Sequence, residues 1–180
     1  MIVCAGRGEN FDFAYPIGVG LIESAISLTQ LCLMDRPKYL LFVGSAGSYG
    51  EYKIGDIITS EGAANIENSN LVGKSYTPID NVLISNSGIV SHETIVNSSN
   101  YITTDSYVGE LYKQHKIGIE NMEFFSVVRV AKEFNIPVAG AFIVTNFCNE
   151  SAHEDFLKNH HDCMKKLDSY VKETILKKQQ

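Results

Sequence analysis

One hundred and eighty residues suffice for one domain with a sizeable buried core. The net charge is −6, and the three arginines, Arg7, Arg36 and Arg129, are scattered. No basic stripe therefore exists for nucleic acid. No apolar run approaches the roughly 20 residues of a membrane-spanning helix.

Nothing at the start resembles a secretory signal. Cys4, Cys32, Cys148 and Cys163 are dispersed within apolar patterns, as expected of buried thiols in a cytoplasmic protein rather than a disulfide frame.

The chain opens with a predicted strand, Met1 to Ala5, and a glycine turn, Gly6-Arg7-Gly8. Glu9 to Pro16 reads as an irregular link carrying Phe11, Phe13 and Tyr15, for the core or for a subunit contact. Ile17-Gly18-Val19-Gly20 opens a helix whose apolar face is assigned to Ile22, Ala25, Ile26, Thr29 and Leu33. Asp35-Arg36-Pro37 stops it. Leu40 to Val43 is a buried strand ending in Gly44-Ser45-Ala46-Gly47, and Ile57 to Thr59 is another strand.

Residues 67–81 are polar and read as a mobile loop. Val82 to Ser85, Gly88 to Ser91 and Tyr101 to Thr103 read as strand fragments, with a loop at Asn97 to Asn100. Asp105 to Gln114 reads as a short helix and Lys116 to Ile119 as a strand. Glu120-Asn121-Met122-Glu123 then leads into a helix reaching about Phe134. Val138 to Val144 is a buried strand ending in Thr145-Asn146. Ser151 to Glu154 has the form of a capping box. Beyond it Phe156, Leu157, His160, Met164, Leu167, Val171 and Ile175 recur at helical spacing, with Lys177 and Lys178 complementing the helix end. Strands alternating with helices predict an α/β sheet.

Three strand ends carry small or polar residues: Gly44 to Gly47, Asn121 to Glu123, and Thr145-Asn146. In an open α/β sheet such ends converge on a ligand site, although each alone is also an ordinary turn or cap. Their context is specific. Val43-Gly44-Ser45-Ala46-Gly47 with Lys53-Ile54-Gly55-Asp56-Ile57-Ile58 resembles the signature of the nucleoside phosphorylase and nucleosidase family. Asn121-Met122-Glu123-Phe124-Phe125-Ser126 resembles its ribose-binding Met-Glu. Asn135-Ile136-Pro137-Val138, leading to Thr145-Asn146 and the last helix, is a third match. The resemblance runs from about Pro16 to Phe156, with the region before it shortened.

The resemblance implies one phosphorylase/hydrolase-like domain over residues 1–180, a three-layer α/β fold with a mixed central sheet flanked by helices. It also implies cleavage of a purine nucleoside through an oxocarbenium-like ribose. Glu123 would hold the ribose hydroxyls, Met122 would pack on the sugar, and Ser45, Ala46 and Gly47 would line the site. Asn146 stands where nucleosidases have an aspartic acid. An amide cannot donate that proton, but it can accept from purine N7–H and donate to a 6-oxo group. Ser91-His92-Glu93-Thr94-Ile95-Val96-Asn97 resembles the segment meeting the base edge, which assigns Ile95 and Val96 to the base.

The nucleophile stays open. Arg7 with Ser45 and nearby amides suits phosphate as co-substrate; Glu9 suits water. The first expectation is phosphorolysis of a 6-oxopurine nucleoside by a purine nucleoside phosphorylase-like glycosyltransferase. A hydrolytic nucleosidase and a non-catalytic nucleoside-binding protein are the alternatives. No cofactor is expected. The expected partners are the nucleoside, phosphate and further copies of the chain, as a homodimer or larger assembly. His153, His160 and Cys163 admit a zinc reading, but a core-flanking histidine and a buried thiol are the stronger one, so no metal is expected.

Overall fold

The computed structural model describes residues 1–177. In chain order the elements are β1 (Ile2–Cys4), β2 (Tyr15–Pro16), α1 (Gly20–Asp35), β3 (Leu40–Ser48), β4 (Ile57–Ser60) and β5 (Gly62–Ala64). Then come α2 (Asn68–Leu71), β6 (Val82–Ile84), β7 (Ile95–Ser98), α3 (Ser106–Gln114), β8 (Ile117–Asn121), α4 (Phe124–Glu133), β9 (Val138–Phe147) and α5 (Ala152–Tyr170). A π-helical segment, Val171–Leu176, continues α5. Lys178 lies outside the described residues.

The nine strands form one mixed sheet, ordered β2-β1-β3-β8-β7-β5-β6, with β9 pairing β3 and β4 pairing β9. Its centre is the parallel pair β3 and β9, in register from Leu40↔Val138 to Ser48↔Phe147 with one shift at Ala46/Gly47. Successive side chains of a strand face opposite ways. Leu40 and Phe42, with Val138, Phe142 and Val144, enter a core that also contains Leu28 of α1 and Phe124 and Val127 of α4. Leu41 and Val43, with Ala139, Ala141 and Ile143, enter a second core with Cys163, Leu167 and Val171. Two cores on two faces explain why these strands read as continuous apolar runs. They also give the expected three layers. Phe142 packs 5.7 Å from Phe42 and 5.1 Å from Phe124, ring to ring. Each such ring contributes about 1.5–3 kcal/mol by burial.

Several local expectations are corrected. β3 and β9 do not stop at Val43 and Val144; they run on through Ser48 and Phe147, so Gly44 to Gly47 and Asn146 are strand residues. Ile95–Ser98 is a strand, whereas Gly88 to Ser91 and Tyr101 to Thr103 are not. The link before α1 holds β2, and the polar stretch after β5 holds α2. Phe11 is buried in the second core and stacks on Phe13 at 5.3 Å.

The face of α1 is the largest reversal. Gly20, Ser24, Leu28 and Cys32 point inward, while Ile22, Ile26 and Leu33 are exposed. The small residues let α1 settle against α4, where Ser126 Oγ donates to Leu21 O at 2.7 Å. The capping box does not form either. Ser151 makes no side-chain cap bond, and its amide donates to Asn149 Oδ1 at 2.9 Å. All four cysteines are free and buried.

Candidate active site

The site begins as an interruption in sheet pairing. One edge of β3 pairs with β1 at Leu41 and Phe42, and with β8 at Gly47 and Ser48. Between these, Val43 to Ala46 has no strand beside it on that edge among the described residues. An unpaired backbone donor there needs another acceptor. Glu9 supplies it from the turn after β1: its carboxylate accepts from Ser45 N at 3.1 Å and also from Ser45 Oγ. Gly44 makes this approach possible, since a Cβ there would lie 2.6 Å from Glu9 Oε2. Burial pushes the Glu9 carboxyl pKa up, with the two Ser45 bonds opposing.

A second carboxylate is built at the β8–α4 junction. Asn121 Oδ1 accepts from the amides of Glu123 and Phe124, each at 2.7 Å, and so caps the helix start. Its Nδ2 donates to Glu123 Oε2 at 2.7 Å. The other oxygen, Oε1, accepts from Gly20 N at 2.8 Å. Gly20 takes a φ of +83°, a conformation that favours glycine. Glu123 is only 3% exposed. Burial pushes its pKa up to about 7; the Gly20 bond opposes this and the charge of Glu9 adds to it.

Both carboxylates open onto one cavity of about 540 Å³. Asn146 lines it from β9, nearly buried. Its Oδ1 accepts from Thr145 Oγ1 at 2.9 Å and its Nδ2 donates to Phe147 O at 3.1 Å. One acceptor site and one N–H remain. Ser45, Ala46, Gly47, Met122 and Arg7 line the same cavity, so the three motif segments do meet.

Arg7 is not a free cation. Its Nη2 lies 2.8 and 3.0 Å from the two oxygens of Glu23, which also accepts from Val19 N at 3.1 Å. Ile95 and Val96 do not line the cavity. Val96 is fully buried in the core beneath α4, and Ile95 packs toward Tyr49 and Tyr112. β7 is an interior strand here, so its side chains face packed layers. His92 lies apart from the cavity, its Nδ1 accepting from Glu61 N at 3.3 Å.

The wall instead includes Tyr101 and Ile102, which sequence reasoning missed. Asn100 Oδ1 accepts from Leu21 N at 2.9 Å, and Thr103 donates to Glu120 through N at 2.9 Å and Oγ1 at 2.7 Å. These flanking bonds hold the pair at the mouth. An aromatic–aliphatic pair in a polar stretch between strand and helix is the signal available in the sequence. α5 adds His153, Phe156 and His160. Cys163 is buried, its Sγ 3.6 Å from Val144 O. Among the described residues no group of three or more His, Cys, Asp or Glu side chains is placed to hold a metal ion.

The family model described as the phosphorylase superfamily matches residues 1–176. The chain belongs to the phosphorylase superfamily. Solved structures agree with this phosphorylase-superfamily fold. The native futalosine hydrolase of Helicobacter pylori strain 26695 is 16% identical, with a TM-score of 0.80 over 95% of this chain and 94% of the other. A 5'-methylthioadenosine/S-adenosylhomocysteine nucleosidase from Helicobacter pylori is 16% identical, with a TM-score of 0.81 over the same shares, 95% and 94%. The Streptococcus pneumoniae MTA/SAH nucleosidase in complex with 8-aminoadenine is also 16% identical, with a TM-score of 0.75 over 95% and 97%. At such identities the likeness establishes the fold. None of the curated proteins matches the chain.

Proposed function

We propose that this phosphorylase-superfamily chain hydrolyses the N-glycosidic bond of a purine ribonucleoside, preferring a 6-oxopurine base. The observation that carries the choice of water is the place of Glu9. Ser45 N and Oγ, the donors a phosphate would use, are already taken by that carboxylate. An anion placed there would face it at close range, and Arg7 is tied to Glu23. The similar structures named above are a hydrolase and nucleosidases.

Each residue then has a task. Glu9 accepts a proton from water as the water oxygen bonds to the anomeric carbon. The bond to the base nitrogen breaks, and its electron pair leaves with the base. Glu123 accepts from the ribose hydroxyls, and its charge favours the positive sugar of the transition state. Met122 packs on the sugar face, and Tyr101 and Ile102 stack against the base. Asn146 uses its remaining N–H for a 6-oxo oxygen, toward which negative charge moves as the bond breaks; the departing base anion takes its proton from solvent, and with that proton on N7 the remaining acceptor of Asn146 receives the N7–H.

Release of hypoxanthine from inosine in phosphate-free buffer, unchanged by added phosphate, is the expected result. It is followed by base-product chromatography. Release that requires phosphate, with ribose 1-phosphate as co-product, would overturn water as the nucleophile. It would favour phosphorolysis, for which Arg7 at the cavity rim is the supporting residue.

We also propose that the chain works as a homodimer or larger assembly. The exposed Ile22, Ile26 and Leu33 of α1 run away from the cavity mouth, where Tyr101 and Ile102 are exposed as well. A second copy seated there would cover both surfaces. Sedimentation should show a dimer or larger species that Ile26→Glu dissociates; a monomer for the unaltered chain ends this proposal.

A further inference from the structure

One ion pair at the cavity rim has no task in the hydrolysis just described. Arg7 lines the cavity from the turn that also carries Glu9, and among the described residues it is the one lysine or arginine that does so. Its φ is +54°, a left-handed conformation that a residue with a side chain keeps only where its surroundings enforce it. Glu23 stands in the first turn of α1. Its two oxygens lie 2.8 and 3.0 Å from Arg7 Nη2, and Oε2 also accepts from Val19 N at 3.1 Å. The backbone makes room for this carboxylate: a Cβ on Gly18 would lie 2.7 Å from Glu23 Cβ and 3.0 Å from its Oε2.

A guanidinium and a backbone N–H aimed at one carboxylate are the donors that an anion-binding site uses. Here the anion belongs to the chain. The two side chains are 69% and 49% exposed, so the pair adds little to stability. Its effect is on local charge. A phosphate reaching Arg7 must displace Glu23 or sit beside it. Displacement is opposed because a tethered carboxylate competes at a high effective concentration. Sitting beside it sets like charges together. Glu9 acts in the same sense by holding Ser45 N and Oγ. Both sets of donors open to phosphate on this side of the cavity are thus occupied by carboxylates of the chain itself.

We propose that Glu23 is a specificity-determining residue, a resident carboxylate that keeps phosphate from Arg7 and so leaves water as the nucleophile. The proposal rests on the hydrolytic reading above and adds a residue that lies outside the cleavage step. Without the Glu23 carboxylate, Arg7 and Val19 N form an open site for a phosphate dianion.

Calorimetric titration of the full chain with inorganic phosphate tests this. Glu23→Ala should bind phosphate at least about tenfold tighter than the unaltered chain, the worth of a charge-assisted contact regained. The gain should vanish when Arg7→Gln is added to Glu23→Ala. Thermal unfolding identifies a variant that has not folded; Glu23→Gln, which keeps the length of the side chain and removes its charge, then decides. Base release from inosine, insensitive to phosphate in the unaltered chain, should become phosphate-dependent in Glu23→Ala. Equal phosphate affinity with and without Glu23, or a gain that survives the loss of Arg7, would overturn the proposal. So would base release that stays insensitive in a variant that binds phosphate. Inosine cleavage with no gain in phosphate binding removes the role of Glu23 and leaves hydrolysis standing. An Arg7-dependent gain with no cleavage of inosine by either chain leaves the exclusion of phosphate standing and removes hydrolysis.

Discussion

Replacing Glu9 with glutamine is expected to lower kcat by about 10²- to 10⁴-fold, the range typical of a lost general base. The amide keeps the shape of the carboxylate, and its oxygen can still accept from Ser45 N. Ser45 Oγ, now facing an NH₂ group, can rotate to accept. What the amide cannot do is take a proton from water. Affinity for 9-deazainosine, whose base is joined through carbon and cannot be cleaved, should therefore stay within a few-fold of the unaltered chain. Stopped assays of base release, with titration of the same ligand, separate the two effects. Turnover within twofold of the unaltered chain would place water activation elsewhere.

Glu123→Gln is expected to act on activity and on stability by different routes. Charge-assisted bonds to the ribose hydroxyls are worth about 1.5–3 kcal/mol. Their loss should lower kcat/KM by about 10- to 100-fold. In the unaltered chain kcat/KM should rise with pH as Glu123 ionises near its pKa of about 7, and this limb should vanish in the variant.

For stability the sign follows from linkage. The folded pKa of Glu123 lies above the usual carboxylate value, so between the two values the folded state holds more protons than the unfolded chain. Stability is fully present below the unfolded pKa and is lost as pH rises through the folded one. Spanning from about 4.3 to about 7, the loss is on the order of 3 kcal/mol. Glutamine offers one acceptor where Gly20 N and Asn121 Nδ2 both donate, so the variant should be the less stable near pH 5. Urea unfolding should show the unaltered chain losing stability between about pH 5 and pH 8, and the variant losing much less. An equal loss in both would show that Glu123 does not titrate in this window.

Much of the fold is legible in the chain. β3 and β9 read as buried strands because both of their faces meet a packed layer. Gly20 to Asp35 reads as a helix bounded by glycine and by Arg36-Pro37. Glu123 and Asn146 can be named as candidates because each stands in a short motif, Asn121-Met122-Glu123 and Thr145-Asn146, at the end of an apolar run. The face of α1 could not be read. Periodicity shows that Ile22, Ile26 and Leu33 share a side, but only the closeness of α4 selects Gly20, Ser24, Leu28 and Cys32 to face it. The resemblance of Ser91 to Asn97 to a base-edge segment assigns Ile95 and Val96 to the base, but only the pairing of β7 between β5 and β8 shows that these side chains face packed layers.

The residues alone pointed to the central strands β3 and β9, to the helices α1, α3, α4 and α5, and to Glu9, Glu123 and Asn146 as candidates, because those readings depend on neighbours a few positions away. Only the folded chain decided that β1 and β8 would share one edge of β3 and leave Ser45 open to Glu9. The same long-range packing brought Tyr101, Ile102, His153 and His160 around the cavity. Backbone pairing between distant segments sets where a sheet has a gap, and no local pattern encodes it.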